Sequence, residues 1–297
     1  MANGREPASA SVIFTTYNST RALELVLWGF AAQTRRDVEI VVADDGSGPA
    51  TAEVIARLRR ESGVEIVHVW HPDDGFRKTE ILDRAILAAR GEYLLFTDGD
   101  CIPRADFVAT HLALAERGRF LSGGYLKLPA AVSEAITPDD VRAGRVADVG
   151  WLRSRGWRPG RRALRLTGLR PLAALLDTVT PTSPTWNGHN ASAWRDDLVR
   201  VNGYDLSMAY GGLDRAVGEC LENAGVRGKQ LRHRAPVLHL HHERPYVDPE
   251  KWRRNREHRQ RIRREGITRA ERGLAELAPD PLLRIDRGAP QPQSETR

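Results

Sequence analysis

Apolar and polar positions recur with two different spacings along the N-terminal part of the chain. Short β-branched runs at residues 10–15 (ASVIFT) and 38–43 (VEIVVA) predict buried parallel strands, because a strand covered on both faces has no polar side. Between them, residues 21–32 set Leu23, Val26, Leu27 and Phe30 on one face of a helix, with Ser19 or Thr20 as its N-cap. Residues 50–61 repeat the helical spacing through Val54, Ile55 and Leu58 and lead to a strand at 64–70. A helix over 78–89, with Ile81, Leu82, Ala85 and Ile86 inward, precedes an apolar strand at 93–97 that ends in Asp98-Gly99-Asp100. Strands and helices in alternation imply right-handed crossovers, hence an α/β, Rossmann-like sheet with helices on both faces.

Ligands of such sheets bind at the carboxyl ends of the strands. Here those ends carry acids, amides and small residues: Thr15-Thr16-Tyr17-Asn18, Asp44-Asp45-Gly46-Ser47, His71-Pro72-Asp73-Asp74-Gly75 and Asp98-Gly99-Asp100. No GxGxxG follows the first strand and no GxxxxGK(S/T) occurs, so the glycine loops that cradle dinucleotide and ATP phosphates are missing. A diphosphate held at this edge needs another source of positive charge. Asp98 and Asp100, with one glycine between them, can both reach a divalent ion, and Mn²⁺ or Mg²⁺ takes oxygen ligands while bridging phosphate oxygens. Taken alone the motif also fits a solvated turn, but its place after an apolar strand favours the ion. Asp44 and Asp45 are suited to accept from a pyrimidine N–H or a ribose hydroxyl.

Composition narrows the class. The chain has 297 residues, 41% hydrophobic and 28% charged, which suits a soluble globular protein of one large or two modest domains. No apolar run approaches the roughly 18 residues of a membrane span, and the N-terminal MANGREPASA lacks a signal-like apolar core, so a cytoplasmic protein is expected. Cys101 and Cys220 are too few for a disulfide framework or a cysteine zinc site, which leaves any metal to oxygen ligands and histidine. The net charge of +6 is concentrated at residues 153–170 and 251–272.

At the strand ends the chain resembles the inverting nucleotide-sugar glycosyltransferases of family 2, which have the GT-A fold. The similar pieces are SVIFTTYN (11–18), VVADDGSG (41–48) and LLFTDGDCIP (94–103). The stretch DGFRKTEILDRA (74–85) looks like the segment that chondroitin-type polymerases and Golgi beta-galactosyltransferases place beside uracil and diphosphate. WNGHNASAWRDDLVRVNGYD (186–205), followed by Tyr210-Gly211-Gly212-Leu213-Asp214, resembles the C-terminal galactosyltransferase-like module, which usually reads GGxD or GGED; Leu213 departs from the acid.

The resemblance implies a metal-dependent hexosyltransferase moving a sugar from a nucleotide-sugar, a UDP-sugar first, to a glycan or lipid-linked glycan acceptor in surface polysaccharide synthesis. It divides the chain into a nucleotide-sugar half (8–124), a partly helical insertion (125–185), an acceptor half (186–245) and a basic helical extension with a flexible tail (246–297). Thr15, Tyr17, Asn18, Asp44, Asp45, Phe76, Arg77, Lys78, Asp98 and Gly99 then serve the donor. Asp98, Asp100, His239 and His242 serve Mn²⁺ or Mg²⁺, with His241 in reserve. Trp186, His189, Asn190, Tyr210, Gly211 and Gly212 line the sugar and acceptor cleft, and Asp214 is the catalytic base.

Each assignment has a plainer counterpart. Asp214 fits a helix N-cap ahead of residues 215–223, Arg77 and Lys78 a solvated helix start, and Trp186 and Tyr210 the core. In VLHLHHER (237–244), His239 and His241 share one face of an unbroken strand, whereas His239 and His242 meet only if the strand ends or bends between them. The stretch RRALRLTGLRPLAALL (161–176) interleaves arginine with leucine. It suits peripheral contact with an anionic bilayer, or an excursion that packs its leucines on the core. Two other classes compete. A nucleotidyltransferase ordinarily carries a glycine- and arginine-rich loop after the first strand, absent from TTYNST. A nucleic-acid-binding protein explains the arginines but gives no reason to gather Asp98, Asp100 and Asp214, so no nucleic-acid partner is expected.

Overall fold

The apolar runs form strands where their pattern predicts them, in a computed structural model that describes residues 6–243 and 248–288. The strands are β1 (Ala10–Thr16), β2 (Glu39–Asp44), β3 (Ile66–Trp70), β4 (Tyr93–Asp98), β5 (Cys101–Pro103), β6 (Arg119–Ser122), β7 (Tyr125–Lys127), β8 (Asn190–Trp194), β9 (Arg227–Gln230), β10 (Val237–His239) and β11 (Arg284–Asp286). An eight-stranded sheet has the order β11-β3-β2-β1-β4-β8-β6-β9, and a three-stranded sheet the order β5-β10-β7. Strands β3, β2, β1 and β4 are parallel neighbours, so the loops that follow them open at one edge. Strand β8 runs antiparallel to β4 with Asn190 opposite Thr97, which brings the residues that precede β8 to that same edge.

Both faces of the large sheet are covered, as its near-continuous apolar strands require. Along β1, Val12 and Phe14 enter one core cluster and Ile13 the other. The helices Thr20–Ala31 and Pro49–Ser62 pack on the first side, and the helices Lys78–Ala88 and Leu213–Asn223 on the second. Trp186 belongs to the second cluster. It has no accessible surface, its ring lies 5.3 Å from Phe96 and 5.9 Å from Phe120, and its indole N–H donates to the Tyr204 hydroxyl at 3.3 Å. Of the two readings of Trp186, the structure gives the core; the ring does not line a cleft.

Two boundaries move. Residues 125–185 are not wholly an insertion, since β7 at their start pairs with β10 through Tyr125↔Val237 and Lys127↔His239. The C-terminal stretch is docked as far as residue 288: β11 adds an antiparallel edge to β3, Leu283 packs on the core, and Arg59 holds Asp286 at 2.6 Å, while residues 289–297 of the expected tail lie outside the described residues. No helix among the described residues is long and apolar enough to cross a membrane.

The core placement of Trp186 has a measurable consequence. Trp186→Ala is expected to lower the unfolding free energy in chemical denaturation by about 3–5 kcal/mol, the cost of a large buried cavity. A stability close to that of the parent protein would return the ring to the surface.

Candidate active site at the carboxyl edge of the sheet

The site is assembled from the ends of β1 and β4, the start of the helix Lys78–Ala88, the turn before β8 and the start of the helix Leu213–Asn223. Strand β4 ends at Asp98, and Gly99 follows with its backbone N–H on the Thr15 carbonyl at 3.1 Å. A Cβ at Gly99 would lie 2.4 Å from that carbonyl oxygen, so a side chain here would push the acidic turn off β1. Lys78 reaches across from the first turn of its helix, and its ammonium lies 2.8 Å from Asp98 Oδ1. A lysine at a helix N-terminus opposes the helix dipole, and here the carboxylates stabilise it. Burial alone would lower the Lys78 pKa, but Asp98, Asp214 and Asp100 together raise it above its usual value. Burial likewise disfavours ionised Asp98, yet Lys78, with His189 and His239 near, holds its carboxyl below the ordinary range.

Asp214 is not the N-cap that the sequence also allowed. The helix Leu213–Asn223 is capped two residues earlier by Gly212, and Asp214 stands in its first turn. Its Oδ1 is buried with no hydrogen-bond partner, and a Cβ at Gly188 would lie 2.4 Å from that oxygen, so the glycine leaves room for the carboxylate. Burial pushes the Asp214 pKa up to about 6, with Lys78 pulling down and Asp98 pushing up. A carboxylate at a helix N-terminus with an unused lone pair and a pKa near neutrality is suited to accept a proton.

On the other side of the acidic turn, β5 and β10 pair antiparallel with Cys101 opposite His239. The strand ends at His239, and the chain bends so that the rings of His239 and His242 stack 5.3 Å apart at 17°. Asp100 Oδ2 lies 3.0 Å from His242 Nε2 and 3.7 Å from His239 Nε2. Ligand atoms of Asp100, Cys101 and His239 fall within 4.8 Å of one another. The Cys101 thiol points at Asp100 Oδ1 at 3.4 Å, and burial with the neighbouring Asp100 raises its pKa well above the usual thiol value, so it acts as a donor to Asp100. One carboxylate and two imidazoles make a donor set that fits a divalent ion. His241 stands outside this group: its backbone N–H is fixed to Ser133 Oγ and its side chain is exposed. His189 lies beside Asp98 with its ring 4.6 Å from Tyr125, and burial lowers its pKa to about 4, which leaves it neutral at pH 7.

The remaining expected site residues divide between rim and scaffold. Tyr17 is exposed and donates to Asp73 at 2.8 Å, and Asn18 ties the first loop to the second by accepting from Gly48 N–H. Phe76 and Tyr210 meet edge to face at 6.1 Å, and Trp252 approaches Tyr210 at 6.4 Å and overlies Gly211, which with Gly212 forms the turn into the helix Leu213–Asn223. Three expectations are corrected. Asp44 is fully buried and spends its carboxylate on His68 and the Ser47 N–H, each at 2.8 Å, so it does not face a ligand. Asn190 is fully buried, donating to the carbonyls of Gly124 and Ala235 and accepting from His111, and it holds the cleft wall instead of lining it. Arg77 directs its guanidinium to the Pro72 carbonyl at 2.7 Å and to Glu80, so it clamps its own loop. Asp45 holds His71 at 2.8 Å and the Arg77 N–H at 3.2 Å. Sequence reasoning passed over Tyr125, Cys101 as the partner of Asp100, His71, and Trp252. Of these, Trp252 carried a signal, as an aromatic at the start of an otherwise polar helix.

The profile of Glycosyl transferase family 2 matches residues 11–127. Chondroitin synthase of Escherichia coli is 30% identical over 105 residues, 35% of this chain and 15% of the synthase. The chain spans between 15% and 31% of the length of the curated relatives it matches. Among solved structures, the mannosyltransferase PcManGT of Pyrobaculum calidifontis, in complex with GDP-Man and Mn²⁺, superposes with a TM-score of 0.55 at 21% identity over 89% of this chain and 62% of its own. S. aureus TarS 1–349 in complex with UDP-GlcNAc gives a TM-score of 0.57 at 16% identity over 90% and 68%. The shared fold is GT-A and extends over most of the chain.

Asp214 ties the site to stability. A carboxyl whose folded pKa is raised contributes its full stability below the unfolded value and loses it as pH rises through about 6, at a cost of up to about 3 kcal/mol. In EDTA, Asp214→Asn is therefore expected to melt higher than the parent protein at pH 8 and at the same temperature near pH 3.5. An Asn variant with no gain at pH 8 would place Asp214 in an ordinary solvated setting.

Proposed function

We propose that this chain, whose residues 11–127 belong to glycosyl transferase family 2, is a metal-dependent inverting transferase for a nucleotide-sugar, a UDP-sugar first. Its acceptor is a hydroxyl of a glycan or lipid-linked glycan in surface polysaccharide synthesis, and it works at the cytoplasmic side. The observation that carries this reading is the unpartnered, buried Asp214 oxygen beside the Lys78–Asp98 pair, a few residues in space from Asp100 and its two histidines.

Inverting transfer needs a base for the acceptor hydroxyl and positive charge for the leaving diphosphate. Asp214 takes the hydroxyl proton, and the oxygen so freed bonds to the anomeric carbon. The bond from that carbon to the diphosphate oxygen breaks with its electron pair on the diphosphate, and the anomeric configuration inverts. A divalent cation held by Asp100, His239 and His242 supplies, when bound, charge for the diphosphate; the two imidazoles favour Mn²⁺ over Mg²⁺. Lys78 adds a fixed ammonium beside it, and Asp98 sets its position. His189, neutral at pH 7, is suited to bond sugar hydroxyls, while Phe76, Tyr210 and Trp252 offer rings to the apolar faces of sugars. The GDP-Man complex of PcManGT and the UDP-GlcNAc complex of TarS support a nucleotide-sugar ligand for this fold.

Calorimetric titration of UDP-, GDP- and dTDP-sugars, with Mn²⁺ and then with EDTA, tests the donor half without an acceptor. One nucleotide class is expected to bind with metal and to be lost with EDTA. No binding by any of them to folded protein with metal present overturns the reading. Asp100→Ala is expected to weaken metal-dependent donor binding. Asp214→Asn is expected to keep it while lowering kcat by about 10²–10⁴-fold. In the parent protein kcat rises with pH to a plateau above about 6, where Asp214 is ionised. A variant of Asp214 with unimpaired turnover removes it as the base.

A further inference from the structure

The two arginine-rich segments look alike in composition and differ in the structure. In the helix Pro249–Glu265 most arginines are neutralised within the protein: Arg253 pairs with Glu250 and Glu257, Arg259 and Arg263 with Glu219, and Arg261 with Glu271. Between Asp148 and Asp177 the chain carries seven arginines and no acid. None of these seven makes a salt bridge among the described residues. Arg165 shows the consequence: burial, with Arg232 and Arg162 close by, lowers its pKa below the usual guanidinium value.

The same segment exposes an apolar row. In the helix Arg170–Val179, Ala173 and Asp177 are the buried residues. Asp177 is buried and accepts from the His233 N–H at 2.7 Å and from Arg234 Nε at 2.7 Å. Outward stand Leu172, Leu175 and Val179, at 37%, 57% and 59% exposure, continued by Leu169 at 66% and Leu164 at 48%. Leu166 alone among the leucines of 161–169 enters the core, so the excursion is anchored at one leucine and leaves the others in solvent. An amphipathic helix normally buries its apolar stripe; among the described residues nothing covers Leu172, Leu175 and Val179, and arginines without a salt bridge flank them.

We propose that this surface, residues 161–179, docks on an anionic lipid bilayer, with the leucines entering the headgroup boundary and the arginines meeting lipid phosphates. Charge decides the occupant. An isologous contact with a second copy would set one acid-free arginine patch against another. A nucleic acid would use the arginines but leaves the leucine row unexplained, since phosphate contacts require no apolar partner. Exposed leucines in a stretch that carries seven arginines and no acid are the combination an anionic interface takes up. The surface is joined to the candidate active site. Arg165 donates to the Tyr125 carbonyl, and the Tyr125 ring packs on His189 at 4.6 Å and on His239 at 5.7 Å. The docking inference stands on this surface alone; delivery of a membrane-held acceptor to Asp214 rests also on the transferase reading.

The test is flotation of the full chain with vesicles of phosphatidylcholine alone and of phosphatidylcholine with phosphatidylglycerol. Binding is expected to the anionic vesicles and not to the neutral ones, and to weaken as salt is raised. Leu172→Ser with Leu175→Ser is expected to cut binding by about tenfold or more, while circular dichroism and metal-dependent donor binding stay unchanged. Arg161→Gln with Arg162→Gln is expected to reduce both the binding and its salt dependence. Failure to float with anionic vesicles overturns the proposal. So does binding that survives the leucine double variant, a monomer–dimer equilibrium that this variant abolishes, or retention on RNA that it leaves intact. Vesicle binding needs no turnover and donor titration needs no vesicle, so the two readings fail separately.

Discussion

Three carboxylates share one ammonium at the edge of the large sheet, and much of the site depends on that imbalance. Asp98, Asp100 and Asp214 all act on Lys78, which keeps its proton although burial works against it. Burying ionised carboxylates is costly unless they are paired. Lys78 satisfies Asp98 directly, and the remainder of the cluster is left short of positive charge. Two features follow. Asp214, with a buried oxygen and no hydrogen-bond partner for it, holds its proton to a higher pH than an ordinary aspartate. Asp100 turns to His239 and His242, where a further cation has donors ready.

The backbone supports this economy of charge. Gly99 allows the acidic turn to lie against β1, Gly188 leaves space for the Asp214 carboxylate, and β10 stops at His239 so that His242 can fold back beside it. Had the strand continued, alternation would have carried the next ring on that face to His241 and separated His242 from Asp100. The stacked histidine pair therefore comes from where a strand ends.

The fold was largely legible in the sequence because its strands are apolar on both faces and its helices keep a 3.6-residue spacing, signals that depend on the chain alone. The edge of the sheet that carries the site was legible for the same reason, since parallel strands must present their carboxyl ends together. Which polar group at that edge faces a ligand was not. Asp44 and Asp98 both end apolar strands, yet His68 from β3 captures Asp44 and Lys78 captures Asp98. That choice depends on side chains arriving from other elements, and a linear pattern does not carry it. Trp186 and Asn190 were ambiguous likewise, because an aromatic ring and an amide suit either a sugar or the core until Phe96, Phe120 and His111 are in place. Strand β11 escaped notice because three polar-flanked residues have no period to read; its pairing with β3 supplies the order.

The segment between β7 and β8 departs most from a minimal sheet-and-helix plan, and its attachments show that it is more than a surface excursion. It begins in β7, whose Tyr125 ring packs on His189 and His239. It is held there by Arg165, and again by Asp177 on His233 and Arg234, which stand just ahead of β10. The rings that flank Asp98 and Asp100 are thus supported from behind by the same segment that turns its leucines and arginines outward. Positioning of first ligands by their neighbours is what gives a site its geometry. A segment fastened at these points shares its mechanical supports with Asp100 and its two histidines. The acid side, Asp214 on the helix Leu213–Asn223, is fastened separately, where Asn255 holds the carbonyls of Ala209 and Gly211 in the turn that leads into that helix. The two sides of the candidate site therefore rest on different parts of the chain, with Lys78 between them under the influence of Asp98, Asp214 and Asp100.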